Sequence, residues 1–111
     1  MSEITTHVLD TSVGRPAAGV NVTLDARESA GWKRIGGGAT DADGRLRDLS
    51  PQPLPAGTYR LTFDTRAYFA SRQTASFYPE VSIVFEMTDP AAKYHVPLLI
   101  SPYGYSTYRG S

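Results

Sequence analysis

The chain carries only two imidazoles, His7 and His95. With an ordinary pKa of about 6.5, an imidazole changes charge near neutrality and can take or give a proton at a reacting centre. The commoner fate of a histidine in a β-rich chain is a hydrogen-bonded strand or surface position. His95 fits that fate poorly, because Pro97 and Leu99 share its face of a strand pattern and would be exposed with it. Arg45 follows the tight turn Asp43-Gly44. A guanidinium there ordinarily points to water; turned inward, its planar fork suits carbonyl and anionic oxygens better than an ammonium does. The last four residues are Tyr108-Arg109-Gly110-Ser111, so Ser111 brings a hydroxyl and a free α-carboxylate together. Chain ends usually fray. Here Tyr103, Tyr105 and Tyr108 would gain by burying their rings, which predicts a pinned end. Tyr108 is expected at a pocket wall, and Arg109 paired with a carboxylate of its own or a neighbouring subunit. No acid completes a Ser-His-acid relay, so Ser111 is expected to position rather than attack.

Other chemistries are poorly served. With no cysteine and two histidines outside any ligand spacing, the chain offers no credible metal set and no thiol nucleophile. Asp41, Asp43 and Gly44 lack the further spaced ligands of a calcium loop and read as turn residues. Gly36-Gly37-Gly38 lacks the lysine of a phosphate loop and is expected to end a strand. No cofactor is implied. Eleven basic residues balance eleven acidic ones, so no net charge draws the chain to nucleic acid or an anionic membrane. No apolar run reaches the roughly 18 residues of a membrane span. The opening Met1-Ser2-Glu3-Ile4-Thr5 has neither the basic nor the apolar region of a secretion signal, so a cytoplasmic protein is expected.

The elements that must hold these residues are strands. Val20, Val22 and Leu24 alternate with polar residues, as do Tyr59, Leu61 and Phe63, and Val81, Ile83, Phe85 and Met87, although Val84 blurs the polar face of the last. Tyr94, Val96 and Leu98 share one face of a further strand whose other face carries His95, Pro97 and Leu99. Residues 4–9 and 32–36 are weaker strand candidates. Gly14-Arg15-Pro16, Asp41-Ala42-Asp43-Gly44, Pro55-Ala56-Gly57 and Ser101-Pro102-Tyr103-Gly104 supply the reversals. Residues 64–73 lack alternation and suggest a short helix. Trp32 and Phe69 read as core or interface residues. The pattern is that of an all-β sandwich, with residues 1–111 as a single domain. The Val81–Met87 strand and the strand after Gly104 are apolar enough to expect a partner subunit over one of their edges.

Three pieces carry a family resemblance: Thr6-His7-Val8-Leu9-Asp10, the arginine of Asp43-Gly44-Arg45, and the run from Tyr94-His95-Val96-Pro97 to Tyr108-Arg109-Gly110-Ser111. Together they resemble the 5-hydroxyisourate hydrolases of the transthyretin-related family, essentially end to end. The terminal tetrapeptide is the specific part, since the hormone carrier transthyretin lacks it and lacks the matching histidines and arginine. One departure is Lys93, where many relatives carry a further histidine.

The resemblance implies a transthyretin-like β-sandwich of two four-stranded sheets with one short helix. It also implies a homotetramer, a dimer of dimers, with active sites in clefts between dimers. The implied reaction belongs to urate (purine) breakdown: water opens 5-hydroxyisourate to 2-oxo-4-hydroxy-4-carboxy-5-ureidoimidazoline. Such hydrolysis at an acyl carbon needs a base for water, a donor for developing negative charge and groups that orient a flat anionic ring. His7, Arg45, His95 and Ser111 are the implied catalytic set, with His7, Arg45, Tyr108 and Ser111 binding substrate. One histidine would activate water and the other orient it or shuttle the proton; either fits either task. The runner-up is a non-enzymatic carrier of small aromatic ligands, and a surface-displayed sandwich module is a third reading. Both leave His7, Arg45, His95 and Ser111 without work.

Overall fold

Strand β1, Glu3–Asp10, alternates at every residue: Ile4, Thr6, Val8 and Asp10 are buried while Glu3, Thr5, His7 and Leu9 face outward, half-buried. That strict period of two allows one register against the core, since a one-residue slip would expose the whole apolar set. The two inward polar groups are satisfied. Thr6 Oγ1 donates to the Val96 carbonyl at 2.7 Å, and Asp10 accepts from the Tyr68 hydroxyl at 2.8 Å. Burial and the nearby Asp10 carboxylate push the Tyr68 hydroxyl up to about 12. The computed structural model describes residues 3–50 and 53–110.

After β1 come β2 (Arg15–Pro16), β3 (Asn21–Glu28), β4 (Gly31–Ala39), β5 (Arg45–Leu46), β6 (Gly57–Phe63), helix α1 (Thr65–Ser71), β7 (Val81–Met87), β8 (Lys93–Ser101) and β9 (Gly104–Thr107). They form two sheets. One runs β2-β1-β8-β9, with β5 also paired to β1; the other runs β4-β3-β6-β7. The first sheet therefore has five strands rather than four, because two two-residue strands, β2 and β5, both pair with β1. The second has four, as expected. Between the sheets lies a core of Val8, Val22, Leu24, Leu61, Phe63, Met87, Leu98 and Ile100, all essentially without solvent contact. Each such side chain contributes about 1.5–3 kcal/mol by leaving water.

Helix α1 starts where Asp64 caps it, its carboxylate accepting from the Ala67 N–H at 3.1 Å. Its buried Tyr68 and Phe69 close one end of the sandwich. No helix among the described residues is long and apolar enough to cross a membrane.

Three expectations need correction. Strand β4 does not end at the glycine triplet but runs through it to Ala39. A Cβ on Gly36 would strike the Leu49 carbonyl, so the glycines let the Leu49–Ser50 backbone cross close above the strand. Trp32 is neither core nor buried: it stands on the outer face of the second sheet between the guanidinium groups of Arg27 and Arg60, 4.7 and 4.4 Å from its centre. Beside them, Asp25 is buried under Arg34 and Arg60, which hold its carboxyl below the usual range against the cost of burial. Finally, the terminal tyrosine rings are not buried; Tyr103, Tyr105 and Tyr108 are 70%, 45% and 60% exposed. The chain end is held by its backbone instead, through the β8–β9 ladder, the Thr107 hydroxyl on the Pro97 carbonyl at 2.7 Å and the Gly110 N–H on the His95 carbonyl at 2.8 Å.

Candidate active site

Strand β1 pairs in parallel with β8 along its whole length, which sets Thr5 beside His95 and His7 beside Pro97. On its other side β1 pairs with β5, setting His7 beside Arg45. Partners in register share a face. The outer face of this sheet therefore carries His7, Arg45 and His95 together, though 38 and 88 residues separate His7 from the other two (45 − 7 and 95 − 7).

Each side chain is positioned by local chemistry. Arg45 owes its place to the preceding turn. The Asp41 carboxylate accepts from the N–H groups of Asp43 and Arg45 at 2.9 and 3.0 Å, and the same bonds hold its pKa below the ordinary value. Gly44 turns the chain at φ +75°, and a Cβ there would strike the Val8 carbonyl, so only glycine brings Arg45 this close to β1. His7 Nε2 lies 2.9 Å from the Asp43 carbonyl oxygen. A carbonyl only accepts, so Nε2 carries the proton and donates it.

His95 Nδ1 lies 2.8 Å from the Thr5 hydroxyl, which ties the ring to β1 on that side and leaves Nε2 as the nitrogen for proton transfer. Burial, then the neighbouring His7 and Arg45, lower the His95 pKa from 6.5, opposed by a hydrogen bond to the Thr5 backbone. A lowered value keeps the ring neutral, the form that accepts a proton, at neutral pH. The cavity beside it, about 310 Å³, is lined by Thr5, Thr6, Arg45, Arg47, Lys93 and His95. That volume falls at the lower end of small-ligand sites. Among the described residues no group of three His, Cys, Asp or Glu side chains is placed to hold a metal ion.

Of the residues singled out in the sequence, His7, Arg45 and His95 converge. Tyr108 does not line this cavity; it borders an apolar one of about 240 Å³ with Ile83, Phe85, Tyr94 and Arg109. Arg109 has no carboxylate partner among the described residues, and its guanidinium lies over the Tyr94 ring at 4.5 Å. Ser111 lies outside the described residues; its neighbour Gly110 bridges to His95. Thr5 and Arg47 were missed. Thr5 carries no signal until its strand is set beside β8. Arg47 had one: it follows Arg45 by two residues, the spacing that puts both on one face of an extended segment.

Residues 4–110 match the model of a family described as HIUase/Transthyretin. A 5-hydroxyisourate hydrolase of Mus musculus is 46% identical over 113 residues, covering 99% of this chain and 96% of the mouse protein. Among solved structures, Klebsiella pneumoniae 5-hydroxyisourate hydrolase superposes with a TM-score of 0.88 at 43% identity, covering 100% of this chain and 94% of that one. Sea bream transthyretin in complex with thyroxine superposes with a TM-score of 0.89 at 33% identity, covering 96% and 93%. Backbone shape therefore does not separate hydrolase from carrier, and the side chains on the outer face must.

Proposed function

We propose, from the premise that this chain belongs to the HIUase/Transthyretin family, that it opens 5-hydroxyisourate to 2-oxo-4-hydroxy-4-carboxy-5-ureidoimidazoline in the cytoplasm. It is an enzyme with 5-hydroxyisourate hydrolase activity, as its relatives of 43% and 46% identity are named. The observation that carries the mechanism is the His95 ring, tied to Thr5 through Nδ1 and bordering a cavity that also receives Arg45, with burial lowering its pKa from 6.5.

His95 Nε2 takes a proton from water as the oxygen adds to the acyl carbon of the six-membered ring. Arg45 donates to the oxygen on which negative charge develops. The acyl C–N bond then breaks, the leaving nitrogen receives the proton from His95, and the new carboxylic acid ionises. His7, its Nε2–H held by the Asp43 carbonyl, offers Nδ1 to orient the water. Ser111 follows Gly110 and is assigned a positioning role through its hydroxyl; Tyr108, which borders the separate apolar cavity, has no part at this reacting centre. The mechanism calls on no metal or cofactor.

The working unit is a homotetramer, a dimer of dimers, with the site in a cleft between dimers. Support comes from the edge positions of β7 and β9, which leave Val84 53% and Tyr105 45% exposed. The carrier reading gives the His7, Arg45 and His95 cluster no task.

The test is direct. Freshly generated 5-hydroxyisourate should lose its ultraviolet absorbance far faster with the protein than in buffer, and His95→Ala should remove most of that acceleration without altering the circular dichroism. Light scattering on the same sample should report four chains of 12.1 kDa. No acceleration across neutral pH would refute the hydrolase mechanism, and a fully active monomer would refute the inter-subunit site.

A further inference from the structure

The cavity beside His95 holds more positive charge than the proposed chemistry uses. Arg45 and Arg47 enter from the β5 side of β1, and Lys93 and His95 from the β8 side. Among the described residues neither Arg45 nor Arg47 is in an ion pair. Both guanidiniums are felt by the Asp41 carboxylate, which is itself committed to the N–H groups of its own turn. Lys93 Nζ stands 3.8 Å from the Glu3 carboxylate, with the lysine 85% exposed, a loose contact in water that leaves the ammonium free to turn to a ligand.

These cations divide by their position along the strands. Arg45 pairs in register with His7, whereas Arg47 follows the end of β5 and Lys93 is the first residue of β8, two before His95. Arg45 thus sits at the reacting centre with the histidines, and the other two line the same cavity outside that group. Ring opening by water converts an anionic lactam into a product with an additional carboxylate, so charge builds up on the ligand as the reaction proceeds. An outer tier of cations attracts the anion before chemistry and accommodates the added charge after it.

We propose that Arg47 and Lys93 form this outer tier, capturing the anionic planar substrate and setting its affinity without taking part in proton transfer. The inference rests on the hydrolase reading. Its assay is steady-state hydrolysis of 5-hydroxyisourate at several ionic strengths by the full chain and by Arg47→Gln, Lys93→Gln, the double variant and Arg47→Lys. Arg66→Gln, on the exposed side of α1, controls for net charge.

Each glutamine variant should raise KM about three- to tenfold, the range between an exposed ion pair and a charge-assisted hydrogen bond, while kcat stays within about twofold. The two effects should multiply, and the fall of kcat/KM with added salt should flatten as charges are removed. Arg47→Lys should recover most of the affinity, and the pH profile of kcat should not move. Unchanged KM in both single variants, a loss confined to kcat, or an equal effect of Arg66→Gln would overturn the inference. A wild-type protein with no activity would overturn the hydrolase reading beneath it, and the inference with it.

Discussion

Gly110 is the residue whose replacement by alanine tests the site most sharply. Its N–H donates to the His95 carbonyl at 2.8 Å, and its Cα faces the imidazole so closely that a Cβ would lie 2.5 Å from His95 Cδ2 and 3.2 Å from Cγ. Pro97 Cγ, at 3.3 Å, closes the other side. Carbon atoms in contact sit roughly 3.5–4.0 Å apart, so Gly110→Ala must displace the ring or the chain end by about 1 Å. The ring cannot move freely, because Nδ1 is bonded to Thr5 on a central strand. A misplacement of about 1 Å in a catalytic group costs on the order of 10²-fold in rate, or about 2.7 kcal/mol of transition-state stabilisation. The expected result is a fall in kcat/KM of about 100-fold in the ultraviolet assay. Thermal stability should change by no more than about 0.5 kcal/mol, since the residue belongs to a chain end outside the core. Activity within about threefold of wild type would show that neither the His95 ring nor the chain end needs the position this contact sets, and would remove the Gly110–His95 contact from the mechanism.

Two further predictions concern charge and the chain end. Because His95 must be neutral to act as the base and its pKa is lowered from 6.5, kcat/KM should be level above that pH and decline only as pH falls through the lowered value. A pH–rate profile whose acid midpoint lies above 6.5 would assign the base elsewhere. A tag fused after Ser111 should cripple activity, because Gly110 already abuts His95 and the added chain would crowd the cavity, whereas an N-terminal tag should be harmless. Equal activity of the two fusions would remove the terminus from the site.

The strands legible in the sequence were those with one dry face. In β3, β6, β7 and β8 alternate residues meet the core, and burial imposes the period of two on the residue types. β4 was harder to read because it lies at a sheet edge, both its faces are largely wet, and a bulge at Ile35 breaks its register with β3. Its glycines answer to the Leu49 backbone above them, a contact that has no trace in the strand's own pattern. The short helix announced itself through lost alternation, while its Asp64 cap emerged only in the fold. Of the two places expected for Trp32, core or interface, the structure rules out the core: two arginines cover it on the outer face of its sheet.

Sequence alone supplies the inventory: two imidazoles, an arginine delivered by a glycine turn, a serine after Gly110, and enough alternating segments to hold them on a sandwich. Those are local properties, readable wherever residue type and spacing constrain chemistry. Which of them meet depends on the pairing of distant strands. The parallel pairing of β1 with β8 joins Thr5 to His95 across 90 residues, and β5 adds Arg45 and brings Arg47 in behind it. The tertiary structure also replaced aromatic burial with backbone bonds as the anchor of the terminus, and turned Gly110 from a letter in a motif into the contact that positions a base. The physical reason is that register between distant strands is set by the shared core, so no short stretch of sequence contains it.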